Sequence, residues 1–495
     1  MVLDPEGVRL EYKKAKHSLP KEFWPTYSAF ANTVGGTIIL GVDEPQPGQY
    51  VVTGLEDPAR IRTELLNTVT NTNKVSINLL TDDDVLILSL SGKKVLQVTV
   101  RPAAYENKPV YLNGLLENSY VRLGDGDHRT TQDQLHYMVA NSSEHVDTEL
   151  LENYTLEDLN LDDVEQYRNL LIENTDSPNL KGISLADFLF NIGCFKIDRT
   201  NNLREKKMTA GCLLFFGKYN AITQRFPDFQ LDYFRKHTSY DEKWVRRISS
   251  GDMNFPELNI FSFYQRVLNV LQGDIDDKYI QDAKMTRGSY YSDMTLAVKE
   301  ALVNSLMHAY YDSRQPIKVF DYDDYFEFFN PGDMRVSKEE FIHGSNHVSR
   351  NSVISILLRR VGIAERAGSG GPIIFKAAEK NHLRVPDIIK ASETTTIRLW
   401  KVDLLSSLKG LSDTEKVVVS YAVEHNNLFS VKELIKQTPL TDFRARNAVK
   451  QLEKSGTVSR QGQGKTTKYY LAISEETGIL GFKLMLKDLE DSFNR

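Results

Sequence analysis

Apolar and polar positions follow several distinct rhythms along this chain. From Lys21 to Thr33, residues Phe23, Trp24, Tyr27, Ala29, Phe30 and Ala31 recur at helical spacing, and Gly35-Gly36 closes the segment. Thr37 to Val42 is an apolar run of strand length. The pattern then predicts a helix over 58–70, strands over 75–80, 85–91 and 94–100, and two more at 109–111 and 119–124. Residues 1–145 thus read as a mixed α/β domain. Residues 146–284 open with acidic helical turns over 156–173. The strand-sized run Cys212 to Phe216 and aromatic-rich strands as far as Phe234 follow, so this stretch reads as a connecting α/β region. A third region, 285–402, has a helix from about Met294 and a strand pair over 317–329 ending at Asn330-Pro331-Gly332. A glycine-rich loop, Ala367 to Pro372, then opens another helix. The fourth, 403–495, has helices over 412–424, from Ser430, and over 441–455. A hairpin follows, built from Val458 to Arg460, a Gly462-Gln463-Gly464-Lys465 turn, and Lys468 to Leu471. Ser430 with Glu433 three positions later is a capping box.

Composition narrows the class. A chain of 495 residues exceeds one core, and 26% charged residues is ordinary for a folded soluble protein. No apolar stretch reaches membrane-spanning length, and the N-terminus lacks the basic-then-apolar pattern of a secretory leader, so a cytoplasmic protein without membrane contact is expected. Cys194 and Cys212, the two cysteines, sit in apolar surroundings and read as a buried reduced pair. A net charge of −6 argues against an overall nucleic-acid-binding coat. Residues 405–473 nevertheless hold 11 Lys/Arg against 6 Asp/Glu, a local basic surplus.

Candidate chemistry begins at the N-terminus. Glu6 and Glu11, with Lys13 beside them and Asp43 at the end of an apolar strand, suit a divalent metal or a phosphate backbone. On an extended strand an offset of five places Glu6 and Glu11 on opposite faces, so a helix or a bulge is needed to bring them together. The bland alternative is two solvated surface charges.

The arrangement Glu6-x-x-x-x-Glu11-Tyr12-Lys13, Ala29-Phe30-Ala31-Asn32-Thr33-x-Gly35-Gly36 and Gly41-Val42-Asp43 resembles the Schlafen core, the AlbA-type domain. Lys108-Pro109-Val110-Tyr111 and Tyr120-Val121-Arg122-Leu123-Gly124 resemble its closing strands. The resemblance implies a nucleic-acid-binding or nuclease-like domain. Glu6, Glu11 and Asp43 would be the catalytic Mg or Mn ligands, Lys13 would lie near the phosphate, and Arg122 would contact nucleic acid.

Further on, Glu300, Asn304 and His308 stand at i, i+4 and i+8 of one helix, a polar stripe along an otherwise apolar element. Gly368-Ser369-Gly370-Gly371 ahead of a helix can offer backbone N–H groups to a phosphate. With Asn330 and Gly332, and with Arg350-Asn351 and Gly362-x-x-Glu365-Arg366, these resemble the GHKL ATPase fold as it follows Schlafen-like domains in bacterial regulators. The resemblance implies bound ATP, Glu300 as the water-activating base, Asn304 as a Mg ligand, and residues 368–371 as the phosphate cradle. Asn330 stands where the family has its adenine-reading aspartate. His308-Ala309-Tyr310-Tyr311 replaces its His-Arg-Asp-Tyr, and Ser352 replaces a proline. The expectation is therefore nucleotide binding, with hydrolysis set aside.

The C-terminal pattern looks like a winged helix-turn-helix, with Arg444, Arg446, Asn447 and Lys450 on the recognition helix and Arg460, Lys465 and Lys468 on the wing. The fold class is thus α/β and α+β multidomain: a mixed α/β Schlafen AlbA-type domain, a GHKL (Bergerat-like) α/β sandwich and a C-terminal winged helix. Two functions follow. One is a nucleotide-regulated, metal-dependent ribonuclease acting on tRNA-type RNA, as in antiviral (phage) defence. The other is an ATP-binding, DNA-binding transcriptional regulator without nuclease activity. Either works on RNA or DNA, and paired half-sites favour a homo-oligomer.

Overall fold

The computed structural model describes residues 3–142, 146–175, 177–200, 202–275, 280–281, 287–288, 290–364, 368–391, 393–425, 428–461, 467–471 and 476. Glu365, Arg366, Ala367 and the 462–465 turn with Lys465 lie outside the described residues. The chain divides into two units, Met1–Glu144 and His145–Arg495.

The first unit is built on a four-stranded sheet in the order Leu10–Lys13, Gly36–Leu40, Lys93–Val100, Val85–Leu90. The first pair is parallel and the others antiparallel. The helix Phe23–Asn32 lies buried along most of its length, and Phe23, Tyr27, Phe30, Ile38, Leu96 and Val98 share one core with Ile61 and Leu65 of the helix Pro58–Val69. The motif residues around it act as packing hardware. Asn32 accepts from the Val110 N–H (2.7 Å) and donates to the carbonyls of Val110 (2.9 Å) and Tyr120 (3.0 Å), tying helix to closing strands. A Cβ on Gly36 would meet the Phe30 ring at 2.7 Å, so only glycine lets the sheet pass this close. The strand expected over 75–80 is absent. The Tyr27 hydroxyl takes its ladder groups instead, donating to the Ile77 carbonyl (3.1 Å) and accepting from the Leu79 N–H (2.8 Å).

The second unit contains a six-stranded sheet in the order Arg246–Ser249, Leu231–Arg235, Ile317–Asp321, Tyr325–Pro331, Thr394–Trp400, Asp387–Lys390. Only the Leu231–Arg235 and Ile317–Asp321 pair is parallel. The expected boundary near residue 284 is not a boundary in the packing: strands 231–235 and 246–249 complete the sheet, and one core runs from Leu151 to Leu399. The run 212–216 is also not a strand. It belongs to the helix Ala210–Phe216, which is buried on every side, and such a helix needs no amphipathic signature because it satisfies its own backbone. Thr209 caps it, accepting from the Cys212 N–H at 3.2 Å.

Residues 413–471 hold a separate core around Val418, Leu434, Val449 and Leu452. Helix Asp413–Glu424 is followed by strand Leu428–Phe429, helices Val431–Gln437 and Asp442–Lys454, and strands Val458–Gln461 and Lys468–Leu471; the strands pair in the order 428–429, 468–471, 458–461. The Ser412 and Ser430 capping boxes both form. Among the described residues no helix is long and apolar enough to cross a membrane.

Candidate functional site

Glu6 and Glu11 come close through neither a helix nor a bulge. Gly7 and Leu10 bridge in a tight reversal, which folds Glu6 back so that its carboxylate accepts the Tyr12 N–H at 2.7 Å. Burial raises the Glu6 carboxyl above the usual range; the Tyr12 bond opposes this, and nearby Glu11 adds to it. Glu11 itself is held from both sides. Lys13 bonds its Oε1, and the Arg122 guanidinium donates to its Oε2 at 2.6 Å. Arg122 also grips Asp127 (2.8 Å) and the Gly7 carbonyl (2.9 Å), and its side chain has no exposed surface. The expectation that Arg122 touches nucleic acid is therefore corrected: it is an internal clamp. Lys13 is likewise occupied by Glu11 instead of standing ready for a phosphate. Asp43 pairs with Lys14 at 2.6 Å.

Both Glu11 oxygens already carry cationic partners and Asp43 carries a third. Among the described residues no group of three or more His, Cys, Asp or Glu is placed to hold a metal ion. The three carboxylates do not fit a metal centre in this arrangement.

The second site fares differently. Glu300 and Asn304 lie on the helix Tyr290–Met307 and His308 lies just past its end; all three line one cleft with Asn330, Gly368, Gly370 and Gly371. The cleft is open to solvent on one side. Its floor is the sheet, through Asn330, Thr395 and Ile397. One wall is the helix Ser352–Arg360, through Ser355 and Arg359, and the other is the segment 333–348. A Cβ on Gly370 would meet Asn304 Nδ2 at 2.7 Å and Glu300 Oε2 at 3.0 Å, so the loop passes directly over the polar stripe. Asn304 Nδ2 donates to the Glu300 carbonyl at 2.7 Å.

Two expected contacts fall outside the cleft lining, Gly332 and Ser369. Gly332 has φ +102° and lets the Arg350 guanidinium approach to within 3.0 Å of where a Cβ would stand. Ser369 precedes the helix Gly370–Lys380. Asp333, Arg335, His347, Ser355, Arg359 and Thr395 line the cleft without having been singled out in the sequence. Only Asp333, next to Asn330-Pro331-Gly332, carried a usable signal. Arg350 is buried and bonds the His308 carbonyl (2.9 Å), the Asp333 carbonyl (2.8 Å) and Asp333 Oδ1 (3.3 Å). Burial, then His347, Arg350 and Arg335, push the His308 imidazole down to about 3, so it is neutral at pH 7.

On the helix Asp442–Lys454, Arg444, Asn447 and Lys450 are exposed, as are Arg460 and Lys468 on the hairpin. Arg446 is turned back along its own helix onto Asp442, at 2.9 and 3.0 Å.

Three segments of the chain match known families. Residues 6–131 match the family described as Schlafen, AlbA_2, and residues 314–399 match that described as "Putative ATP-dependent DNA helicase recG C-terminal". Residues 136–232 match a domain of unknown function. No curated protein matches. Among solved structures, the crystal structure of the DIP2311 protein from Corynebacterium diphtheriae is 16% identical, with 96% of this chain and 93% of that one covered at a TM-score of 0.42. The solution structure of the N-terminal domain of a RecG-related protein from Nitrosomonas europaea is 28% identical, covering 26% of this chain and 85% of that one at a TM-score of 0.19. The chain therefore carries a Schlafen AlbA_2 domain and an ATPase-like domain of the RecG C-terminal type within a mixed α/β multidomain fold.

Proposed function

We propose that this protein is a nucleotide-responsive, nucleic-acid-binding regulator. The observation that carries this reading is the cleft, where Glu300, Asn304, His308, Asn330 and the glycine loop, spread over some seventy residues of sequence, come together around one cavity. Largely apolar walls with a few convergent polar groups are what small-molecule ligands use. The Schlafen AlbA_2 match and the basic C-terminal domain support nucleic acid as the macromolecular partner. There, Lys450, Arg460 and Lys468 would sit on phosphates, and Arg444 and Asn447 would reach base edges.

The geometry supports regulation better than metal-dependent cleavage, because the carboxylates that cleavage needs are neutralised from within. The test has two arms. Isothermal titration with ATP and Mg²⁺ should show saturable binding that Asn304→Ala weakens; an unchanged isotherm in that variant would remove Asn304 from the site. Incubation of tRNA with the protein and Mn²⁺ should show retention on a gel without cleavage. Cleavage that disappears in a folded Glu11→Gln variant would instead establish the ribonuclease.

A further inference from the structure

The four-stranded sheet of the first unit has two edges, and they are finished differently. At the edge strand Leu10–Lys13 the chain itself takes the outward groups. The Gly7 N–H donates to the Leu10 carbonyl at 3.1 Å, and the Tyr12 N–H donates to the Glu6 carboxylate at 2.7 Å. The reversal through Gly7 closes this edge to a further strand.

The opposite edge, Val85–Leu90, has no such cover. It is the last strand in the sheet order and pairs with Lys93–Val100 in one unbroken register, without a bulge. Its sequence, Val-Leu-Ile-Leu-Ser-Leu, contains neither a charge nor a proline. Charges, prolines and bulges are the devices that keep natural edge strands from pairing, and this strand has none of them. Leu86 and Ile87, which point to opposite faces, are 45% and 38% exposed. Among the described residues, the one side chain that bonds the backbone of this strand is Arg62, whose Nε donates to the Val85 carbonyl at 2.9 Å. A helix or loop laid on the sheet would cover one of the two faces. A strand added alongside covers both and satisfies the outward backbone groups as well.

Charges at the two ends of the strand decide which strand fits. Asp82, Asp83 and Asp84 precede it, and Lys93 and Lys94 follow the turn at its other end. Asp82 and Asp84 are held by Arg62 and Arg101, and Lys93 donates to the Val52 carbonyl. Asp83 and Lys94 are exposed and form no ion pair among the described residues. An antiparallel copy of the same strand lays the acidic end of each beside the lysine end of the other, about a two-fold axis. A parallel copy would set like charges together.

We propose that Val85–Leu90 is a dimerisation edge, along which two copies of this chain join antiparallel into one continuous sheet, with Asp83 of each toward Lys94 of the other. Because the Leu10–Lys13 edge is closed, the sheet stops at the dimer.

The experiment is sedimentation velocity of the full chain, loaded up to about 100 μM. Wild type should show a concentration-dependent monomer–dimer equilibrium. Leu86→Lys, which puts a charge on the edge, should weaken it about tenfold or more. Asp83→Lys and Lys94→Glu, both at exposed positions, should each weaken it roughly threefold or more, since each sets like charges together at both ends. An equimolar mixture of those two variants should return to within about twofold of wild type, because the mixed pair has opposite charges at both ends. A wild type that stays monomeric, or that assembles beyond dimers, would overturn the proposal. So would dimers that all three variants leave intact, or a mixture no tighter than its separate parts.

Discussion

The two sites marked out by sequence motifs meet opposite fates in the folded chain. At the N-terminus the motif carboxylates are present, but the protein has used them itself: Glu11 between Lys13 and Arg122, Asp43 on Lys14. In the cleft the motif residues surround space. The difference lies in what neutralises the charge. A carboxylate whose oxygens carry internal cations contributes to folding, whereas one at the edge of a cavity is available to chemistry. Motif identity alone does not separate these cases.

The sharpest way to break the comparison is to remove the clamp. Arg122→Met leaves the buried Glu11 and the partly exposed Asp127 without their guanidinium, and losing one member of a buried pair costs about 3–5 kcal/mol. Urea unfolding followed by Trp24 fluorescence, with Trp244 and Trp400 changed to phenylalanine, should show that loss. A change under about 1 kcal/mol would mean that Glu11 does not depend on Arg122 and is open to ligands after all. The second test strikes the other site. Gly371→Ala sets a Cβ against the Phe341 carbonyl, and overpacking of this kind costs about 1–3 kcal/mol. Thermal unfolding should register it; an unperturbed protein would show that the helix Lys338–His343 yields easily and that the loop is accessible to phosphate.

What was legible in the sequence follows the same division. The stripe Glu300, Asn304 and His308 could be read because a helix enforces its period, and the structure puts all three on the cleft. The capping box at Ser430 was legible for the same local reason. Arg122 taking Glu11 across 111 positions was not, since nothing in local spacing encodes a contact of that range. The strand expected at 75–80 failed through another long-range partner, the Tyr27 hydroxyl. Ser355 and Arg335 were invisible because they reach the cleft only through packing of separate elements around a shared space. Asn32 and Gly36 belong to the motif that suggested the domain, yet their contacts are architectural, so a motif can report a fold faithfully while saying little of chemistry.

A third test uses protons. The folded state depresses the His308 imidazole to about 3, well below its unfolded value near 6.5. The unfolded chain therefore binds one proton more between these limits. Stability from this residue is complete above about pH 6.5 and is lost as pH falls toward 3, with a slope of up to about 1.4 kcal/mol per pH unit. His308→Gln should flatten that part of the urea-midpoint profile between pH 7 and pH 4.5. An identical profile in the variant would place the titration elsewhere.

The smallest effect tests the N-terminal site most directly. The pair between Lys14 and Asp43 is at the surface, with the lysine side chain 69% exposed, so its contribution to stability is under about 1 kcal/mol. Lys14→Ala should leave unfolding almost unchanged while freeing the Asp43 carboxylate. If the internal cations alone keep this cluster from holding a metal, the variant should gain at most weak Mn²⁺ affinity, because Lys13 and Arg122 still occupy Glu11. Titration with Mn²⁺ followed by proton relaxation should show wild type and Lys14→Ala alike. Tight stoichiometric binding in the variant would show that one exposed lysine separates a structural cluster from a metal centre, and the contrast between the two sites would shrink to a single removable charge.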